Sequence, residues 1–384
     1  MRILHIQLAG NYTEGMSYQE NLLPGYHKKM GHEVYMLTVC YAWDKGKLIH
    51  VMPVKKEMDD GVILERIDFV NIFNEFITKR MRYARNVYEK IEEIHPDFIM
   101  LHDIQTLSAI DLCKYMKKHT SVKLIADCHA DFSNSGTNWL SRNILHGIIW
   151  RYIARRLNKY VSSFYGVLPA RVDFLKKMYR LPADKCKLLL MGADDTMVAT
   201  ARDSRQAVRK NYNIREEDFL IVTGGKIDKA KAQTILLMKS VLKLNIKNLK
   251  LLIFGSVADE LMQSFSELLV PDKIIYIGWI DSKDSYGIFA AADLAVFPGR
   301  HSVFWEQTAA QGIPMVVKDW EGTHHVDLGG NVRFLKEDSE EEITEAIFDI
   351  VNNKHIYSSM SKAACSEDKN KFLYSAIAYE SLNG

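Results

Sequence analysis

The sequence predicts an α/β protein with two Rossmann-like parallel-sheet domains facing one another across a cleft. Three observations lead there. Short apolar runs rich in β-branched residues alternate with helical stretches along the whole chain, the pattern of a parallel sheet covered by helices. That alternation weakens once, over the polar stretch Ala193–Asn213, and restarts at Phe219. The chain has 384 residues, long for one hydrophobic core and comfortable for two.

In the first half, residues 1–192, strands are expected at Ile3–Gln7, Glu33–Val39, Phe98–His102, Lys123–Asp127, Gly166–Pro169 and Lys187–Met191. Helices fit Tyr18–Lys29, Ile77–Ile94, Thr106–Lys118, Arg142–Tyr160 and Arg171–Tyr179. The turn at Asp59-Asp60-Gly61 marks a further pair of strands within 50–68. Ala193–Asn213 reads as a connection plus a surface helix. In the second half, residues 193–366, strands are expected at Phe219–Thr223, Lys250–Phe254, Ile274–Ile277, Leu294–Phe297, Met315–Lys318 and Val332–Phe334. Helices fit Lys231–Leu244, Ala258–Leu268, Ser282–Ala292, Val303–Gln311 and Glu340–Asn353, and the tail is helical and amphipathic. Glycine-bearing turns follow the first strand of each half, Ala9–Gly10 with Gly15 beyond, and Gly224–Gly225. Ligands of open parallel sheets bind at the carboxyl ends of strands.

Composition narrows the functional classes. A chain that is 47% hydrophobic and 26% charged is globular, and a net charge of +2 argues against a general nucleic-acid binder. Cys40, Cys113, Cys128, Cys186 and Cys365 form no CxxC pair, so buried thiols in a reducing cytosol are expected rather than a disulfide framework. Residues 1–8 are too short for a signal-peptide core. No stretch approaches the roughly 18 apolar residues of a membrane span. A cytoplasmic protein is expected, at most held at a membrane surface.

Four segments can carry chemistry. In GGKIDKAK (224–231), glycines free the backbone at a strand end, and Lys226 and Lys231 lie beside a starting helix. Such a loop suits a diphosphate; a solvated loop with ordinary lysines reads equally from these residues. In FPGRHSVFWEQTAAQGIP (297–314), Ser302 is a candidate N-cap and Glu306 lies in the first helical turns. Glu306 either accepts hydrogen bonds from a vicinal diol or serves the helix dipole. In DCHADF (127–132), His129 directly follows a strand and can donate to a sugar hydroxyl or to developing charge, or be satisfied within its loop. The helix 142–160 mixes Arg151, Arg155, Arg156 and Lys159 with Ile148, Ile149, Trp150, Tyr152, Ile153 and Leu157, and Lys79, Arg80, Arg82 and Arg85 lie on an earlier helix. That mixture suits an anionic bilayer as well as a core helix with a solvated basic face. Thr323-His324-His325-Val326-Asp327 invites a metal, but adjacent histidines in a strand or loop point apart, so none is expected.

With these motifs the chain resembles the GT-B glycosyltransferases, specifically the retaining group 1 enzymes of family 4, over nearly its whole length. GMSYQENLLPGYHKKMGHEV (15–34), PDFIMLHD (96–103), LLLMGADD (188–195) and AADLAVFP (291–298) match its conserved blocks. The resemblance implies a nucleoside-diphosphate-sugar donor. Lys226 and Lys231 then contact the diphosphate, Glu306 the ribose, His129 the donor sugar, and the backbone at Gly15 and Gly225 the phosphates. One departure stands out. Family members usually carry a second glutamate eight residues before the ribose glutamate, and here that position is Pro298. The segment resembles a subgroup reading G-x-H-S-V-x-W-E-Q, which makes Gly299, His301, Ser302 and Val303 donor-contacting candidates. The implied reaction is hexosyl transfer to a glycan or polyprenyl-linked acceptor in bacterial surface polysaccharide synthesis, with retention and without metal or further cofactor. It also implies an acceptor-binding domain at 1–192, a nucleotide-sugar domain at 193–366, and a C-terminal helix at 367–384 returning to the first. A sugar-nucleotide epimerase and a non-catalytic sugar-nucleotide-binding subunit are the alternatives. The implied location is the cytoplasm, with peripheral contact at the inner face of the plasma membrane through Arg151–Lys159.

Overall fold

Five of the six residues of the first strand, β1 (Arg2–Gln7), are buried, as a strand covered on both faces requires. A computed structural model describes residues 1–44 and 47–384. In chain order β1 is followed by β2 (Glu33–Val39), β3 (Tyr41–Asp44), β4 (Lys47–His50), β5 (Val54–Glu57), β6 (Ile63–Ile67), β7 (Phe98–His102), β8 (Lys123–Cys128), β9 (Val161–Gly166) and β10 (Cys186–Leu188). Eight of these form one sheet in the order β10-β9-β8-β7-β1-β2-β6-β5, parallel except for the β5–β6 pair, while β3 and β4 pair apart from it. The strand order reverses between β1 and β7, so the loops after these strands flank a topological switch point.

The second sheet contains β11 (Phe219–Gly224), β12 (Leu249–Phe254), β13 (Ile274–Tyr276), β14 (Leu294–Phe297), β15 (Met315–Lys318) and β16 (Val332–Leu335). Its order, β13-β12-β11-β14-β15-β16, is the Rossmann order, with every pair parallel. Its switch point lies between β11 and β14. The chain thus divides into two units, residues 1–190 with 377–384, and residues 191–376. The two-sheet α/β fold class is therefore present.

Several local expectations are corrected. The stretch Ile77–Ile94 is two helices, α2 after α1 (Gln19–Lys29): α2 is Glu75–Met81 and α3 is Val87–Ile94. Arg82 and Asn86 adopt left-handed backbone (φ 56° and 53°) between them, and the break is held by Arg85 N–H donating to Asp68 O and Val70 N–H to Tyr83 O. The expected helix 142–160 opens as a ten-residue π-helix, Ser141–Trp150, and continues as α-helix over Arg151–Leu157. It stops at Leu157 because the chain enters β9, earlier than the strand expected at Gly166–Pro169. Pro169 instead opens a helix, where its missing N–H costs nothing. Ala193–Asn213 is largely helical, over Asp195–Ala201 and Arg205–Asn211, and an unexpected helix at Lys354–Ala364 is capped by Asn353. The final helix, Tyr374–Asn383, packs within the first unit from Ile377 on: Ser381 Oγ lies 2.9 Å from His27 Nε2, and Lys123 Nζ donates to Leu382 O. All five cysteines are free thiols. Burial pushes Cys40 up to about 12 and Cys113 and Cys186 up to about 11, so these three stay protonated.

Candidate active site

At the second switch point, β11 ends at Gly224 and the loop to the next helix (Gln233–Leu244) folds over a turn at Lys229–Lys231. Gly225 is left-handed (φ 113°), and a Cβ there would stand 3.1 Å from Lys231 Nζ. Gly299, in the turn after β14, is equally close: its Cβ would meet Lys231 Cα at 3.0 Å. Two glycines therefore let the loops close around Lys231. A small cavity there is lined by Thr223, Gly224, Lys231, Pro298, Gly299 and Arg300. Burial lowers the Lys231 pKa, Asp228 opposes that, and Arg300 adds to the lowering. Lys226 is placed differently. It is exposed, with Nζ 3.8 Å from Asp228 Oδ2, at the outer edge of the loop. Arg300 is a further cation at this site, and nothing in the sequence around it singled it out.

Glu306 lies in the helix Phe304–Gln311 and is fully buried. Its Oε1 takes His301 Nε2 at 2.8 Å and His325 Nε2 at 2.7 Å. Its Oε2 is buried and has no hydrogen-bond partner among the described residues. Burial pushes this carboxyl up, but the two imidazoles outweigh it and hold it down at about 2. Ionised Glu306 thus presents one committed oxygen and one open acceptor. Ser302 is not the N-cap. Val303 takes that position without a side-chain cap bond, Trp305 N–H donates to Ser302 O, and Ser302 Oγ is buried without a partner among the described residues.

His325 is the residue sequence reasoning missed, although its neighbourhood was inspected. The two adjacent histidines do diverge: His324 pairs with Asp319, while His325 turns inward to Glu306. His301, Glu306 and His325 bring three potential metal-ligand atoms within 4.8 Å of one another, as do Cys40, His50 and Asp68. In the first group both imidazoles are already bonded to one carboxylate oxygen, and in the second the thiol is held protonated.

In the first unit, Gly15 is left-handed (φ 79°) with open space where a Cβ would stand. His129 follows β8 directly. Its backbone N–H donates to Asp103 Oδ1 at 2.8 Å, and its Nε2 lies 3.6 Å from Asp127 Oδ1. Burial would lower the imidazole, but Asp127 and Asp103 raise it to about 9, so it is cationic at neutral pH. Asp127 is fully buried; burial opposes its ionisation, yet His102 and His129 hold it well below the carboxylate range. Behind it runs a buried chain. Asp127 Oδ2 meets His102 Nδ1 (2.8 Å), His102 Nε2 meets His5 Nδ1 (2.9 Å), and His5 Nε2 meets His27 Nδ1 (3.0 Å). A carboxylate only accepts, so His102 donates from Nδ1 to Asp127 Oδ2. Burial lowers His5 strongly and His27 to about 4, which keeps those two rings neutral. No spacing in the sequence could have signalled this chain.

The basic helix buries Trp150, Ile153 and Leu157 and exposes Ile148, Tyr152, Arg155 and Arg156.

Residues 204–366 match the sequence profile of the family Glycosyl transferases group 1. Mannosylfructose-phosphate synthase from Agrobacterium fabrum is 23% identical over 230 residues, 56% of this chain, and the match spans half of that protein's length. A glycosyltransferase from Rickettsia africae superposes with TM-score 0.73 at 15% identity, covering 100% of this chain and 97% of the other. Anabaena HepE, solved with UDP and glucose, superposes with TM-score 0.69 at 15% identity, over 100% and 98%. These likenesses identify the fold as GT-B.

Proposed function

We propose that this chain moves a hexose from a nucleoside-diphosphate sugar to a hydroxyl of a glycan or lipid-linked acceptor, with retention, a reading supported by the match of residues 204–366 to the glycosyl transferases group 1. The observation that carries the reading is Glu306: a buried, ionised carboxylate with an open oxygen at a Rossmann switch point, beside a glycine loop and a sequestered lysine. An acceptor-only oxygen in that place suits the hydroxyls of a ribose. In HepE a structure was solved with UDP and glucose, which supports this ligand class.

Breaking the bond between sugar and phosphate builds negative charge on the departing diphosphate. Lys231, with the positive field of Arg300 beside it, stabilises that charge most when it is fully developed, which favours the transition state over the ground state. Lys226, solvated and near Asp228, has a smaller share. Gly225 and Gly299 allow close approach, and His301, with Ser302 and Val303, shapes the donor-sugar side of the loop. His129 donates from its imidazolium to a sugar hydroxyl or to developing charge. For retention, the acceptor hydroxyl attacks on the face the diphosphate leaves, and a phosphate oxygen takes its proton. In this reading the cations do the work of a metal. The second unit holds the donor, the first binds the acceptor, and the setting is bacterial surface polysaccharide synthesis at the cytoplasmic side of a membrane.

Thermal-shift titration with UDP, GDP, ADP and their hexose conjugates tests the reading, because a ligand that binds only the folded state raises its melting temperature. One of these should raise it in the wild type and raise it less at the same concentration in Lys231→Ala. No shift with any of them at saturating concentration would refute it.

A further inference from the structure

The first unit contains a polar pocket that the mechanism above leaves unused. It has a volume of about 240 Å³, and its lining includes Arg80, Arg82, Asn134, Ser135, Asn138 and His146. Neither arginine has a carboxylate within ion-pair distance among the described residues. Arg82 Nη1 donates to Gln105 O at 3.2 Å, and the acid whose field reaches it, Asp103, already accepts the His129 backbone N–H. His146 adds no charge. Its ring nitrogens meet Tyr179 Oη (2.8 Å) and Ser135 Oγ (2.9 Å), and burial with the two nearby arginines lowers it to about 4. The pocket is therefore cationic, with neutral polar groups around two guanidinium groups. Asn134 ties it to the candidate site, because its Nδ2 donates to His129 O at 2.8 Å.

Next to the pocket's lining residues in the chain stand exposed apolar ones, which supply its rim. Along the helical run that starts at Ser141, Leu140, Ile144, Ile148 and Tyr152 recur every fourth residue, and all are exposed, Leu140 by 63% and Ile148 by 59%. Trp139 is 71% exposed beside Asn138 of the pocket. On α2, Phe76 is 75% exposed and precedes the pocket's Arg80 by four residues, so the two share a helix face. Residues 132–172 contain six Lys and Arg and not one Asp or Glu. A cluster of large apolar side chains left in water marks an interaction surface. Set in a segment rich in cations, it matches the interface of an anionic bilayer, where aromatic and aliphatic groups enter and basic groups meet phosphates.

We propose that this pocket is the seat of the acceptor's anionic group, and that the acceptor is a phosphate-bearing lipid. The phosphate lies between Arg80 and Arg82, whose planar donors suit its oxygens. The hydrocarbon lies along Leu140, Ile144 and Ile148, with Trp139 and Phe76 at the interface. The word acceptor rests on the transferase reading; the lipid-phosphate site stands on the pocket and its rim.

Calorimetric titration of the full chain with farnesyl monophosphate, farnesol and inorganic phosphate tests it. Farnesyl monophosphate should bind at least about ten-fold more tightly than either of the others, because only it fills both pocket and rim. Arg80→Ala, at an exposed position, should weaken it roughly ten-fold or more, as expected for a lost charge-assisted contact. Ile144→Ser with Ile148→Ser should weaken farnesyl monophosphate while leaving inorganic phosphate unchanged. Farnesol binding as tightly as its phosphate would overturn the proposal, as would inorganic phosphate matching the lipid or Arg80→Ala having no effect. Nucleoside-diphosphate affinity of the wild type, measured separately, keeps the two readings apart: its absence sinks the transferase and leaves the lipid site standing.

Discussion

Replacing His325 with alanine removes one of the two imidazoles that share Glu306 Oε1. A carboxyl lowered from 4.5 to about 2 is favoured in its ionised form by about 3 kcal/mol, since each pH unit is worth 1.36 kcal/mol. That is the net left after burial has opposed ionisation, so each of the two imidazoles, at nearly equal distance, supplies at least about 1–2 kcal/mol. The sign is that of a depressed carboxyl. This stabilisation is present above pH 4.5 and is lost as the pH falls through about 2. His325→Ala should therefore cost at least about 1–2 kcal/mol plus a cavity contribution at pH 7. The electrostatic part should vanish below about pH 2 while the cavity part persists. A double-mutant cycle with Glu306→Gln, read by urea unfolding at pH 7, removes the cavity contribution. The expected coupling is at least about 1–2 kcal/mol. Coupling of about zero, within the ~0.3–0.5 kcal/mol scatter of independent sites, would show that the imidazoles do not hold Glu306 ionised.

The two lysines of the glycine loop should separate. Lys231→Ala should weaken nucleoside-diphosphate binding by about 1–3 kcal/mol in calorimetry, whereas Lys226→Ala, exposed and near Asp228, should change it only about two- to three-fold. Gly225→Ala places a side chain at φ 113° and 3.1 Å from the Lys231 ammonium. It should lower stability by about 1–3 kcal/mol in denaturant titration and weaken the nucleotide as well. His129 should titrate near 9 by imidazole NMR, and its contribution to stability, present below pH 6.5, should fade as the pH rises through 9. Asp127→Asn should bring that midpoint down toward the ordinary histidine value.

What was legible in the sequence depended on how locally each feature is determined. Strands β1, β7 and β12 are mostly apolar because they are buried on both faces, so they read correctly. β9 was set too late because Ser162 and Ser163 interrupt its apolar run, while Val167 and Leu168, just past its end, look more strand-like. The break between α2 and α3 was invisible because Ile77, Met81, Ile91 and Ile94 keep a helical period across it. The backbone bonds that break the helix come from residues 68–70. Glu306 stood out by its place in a strand-turn-helix segment. His325 reaches it from 19 positions later, brought there by the crossover between β15 and β16, and no local spacing encodes that. The chain from His27 through His5 and His102 to Asp127 is likewise assembled by strand pairing alone.

The central claim is that the open oxygen of Glu306 receives the diol of a nucleotide. It is tested most directly by comparing the affinity of the preferred nucleoside diphosphate with that of its 2′,3′-dideoxy analogue. The wild type should bind the diol form at least about ten-fold more tightly, the value of a charge-assisted hydrogen bond, and Glu306→Gln should lose most of that preference. Equal affinity for the two ligands in the wild type would contradict the assignment of Glu306.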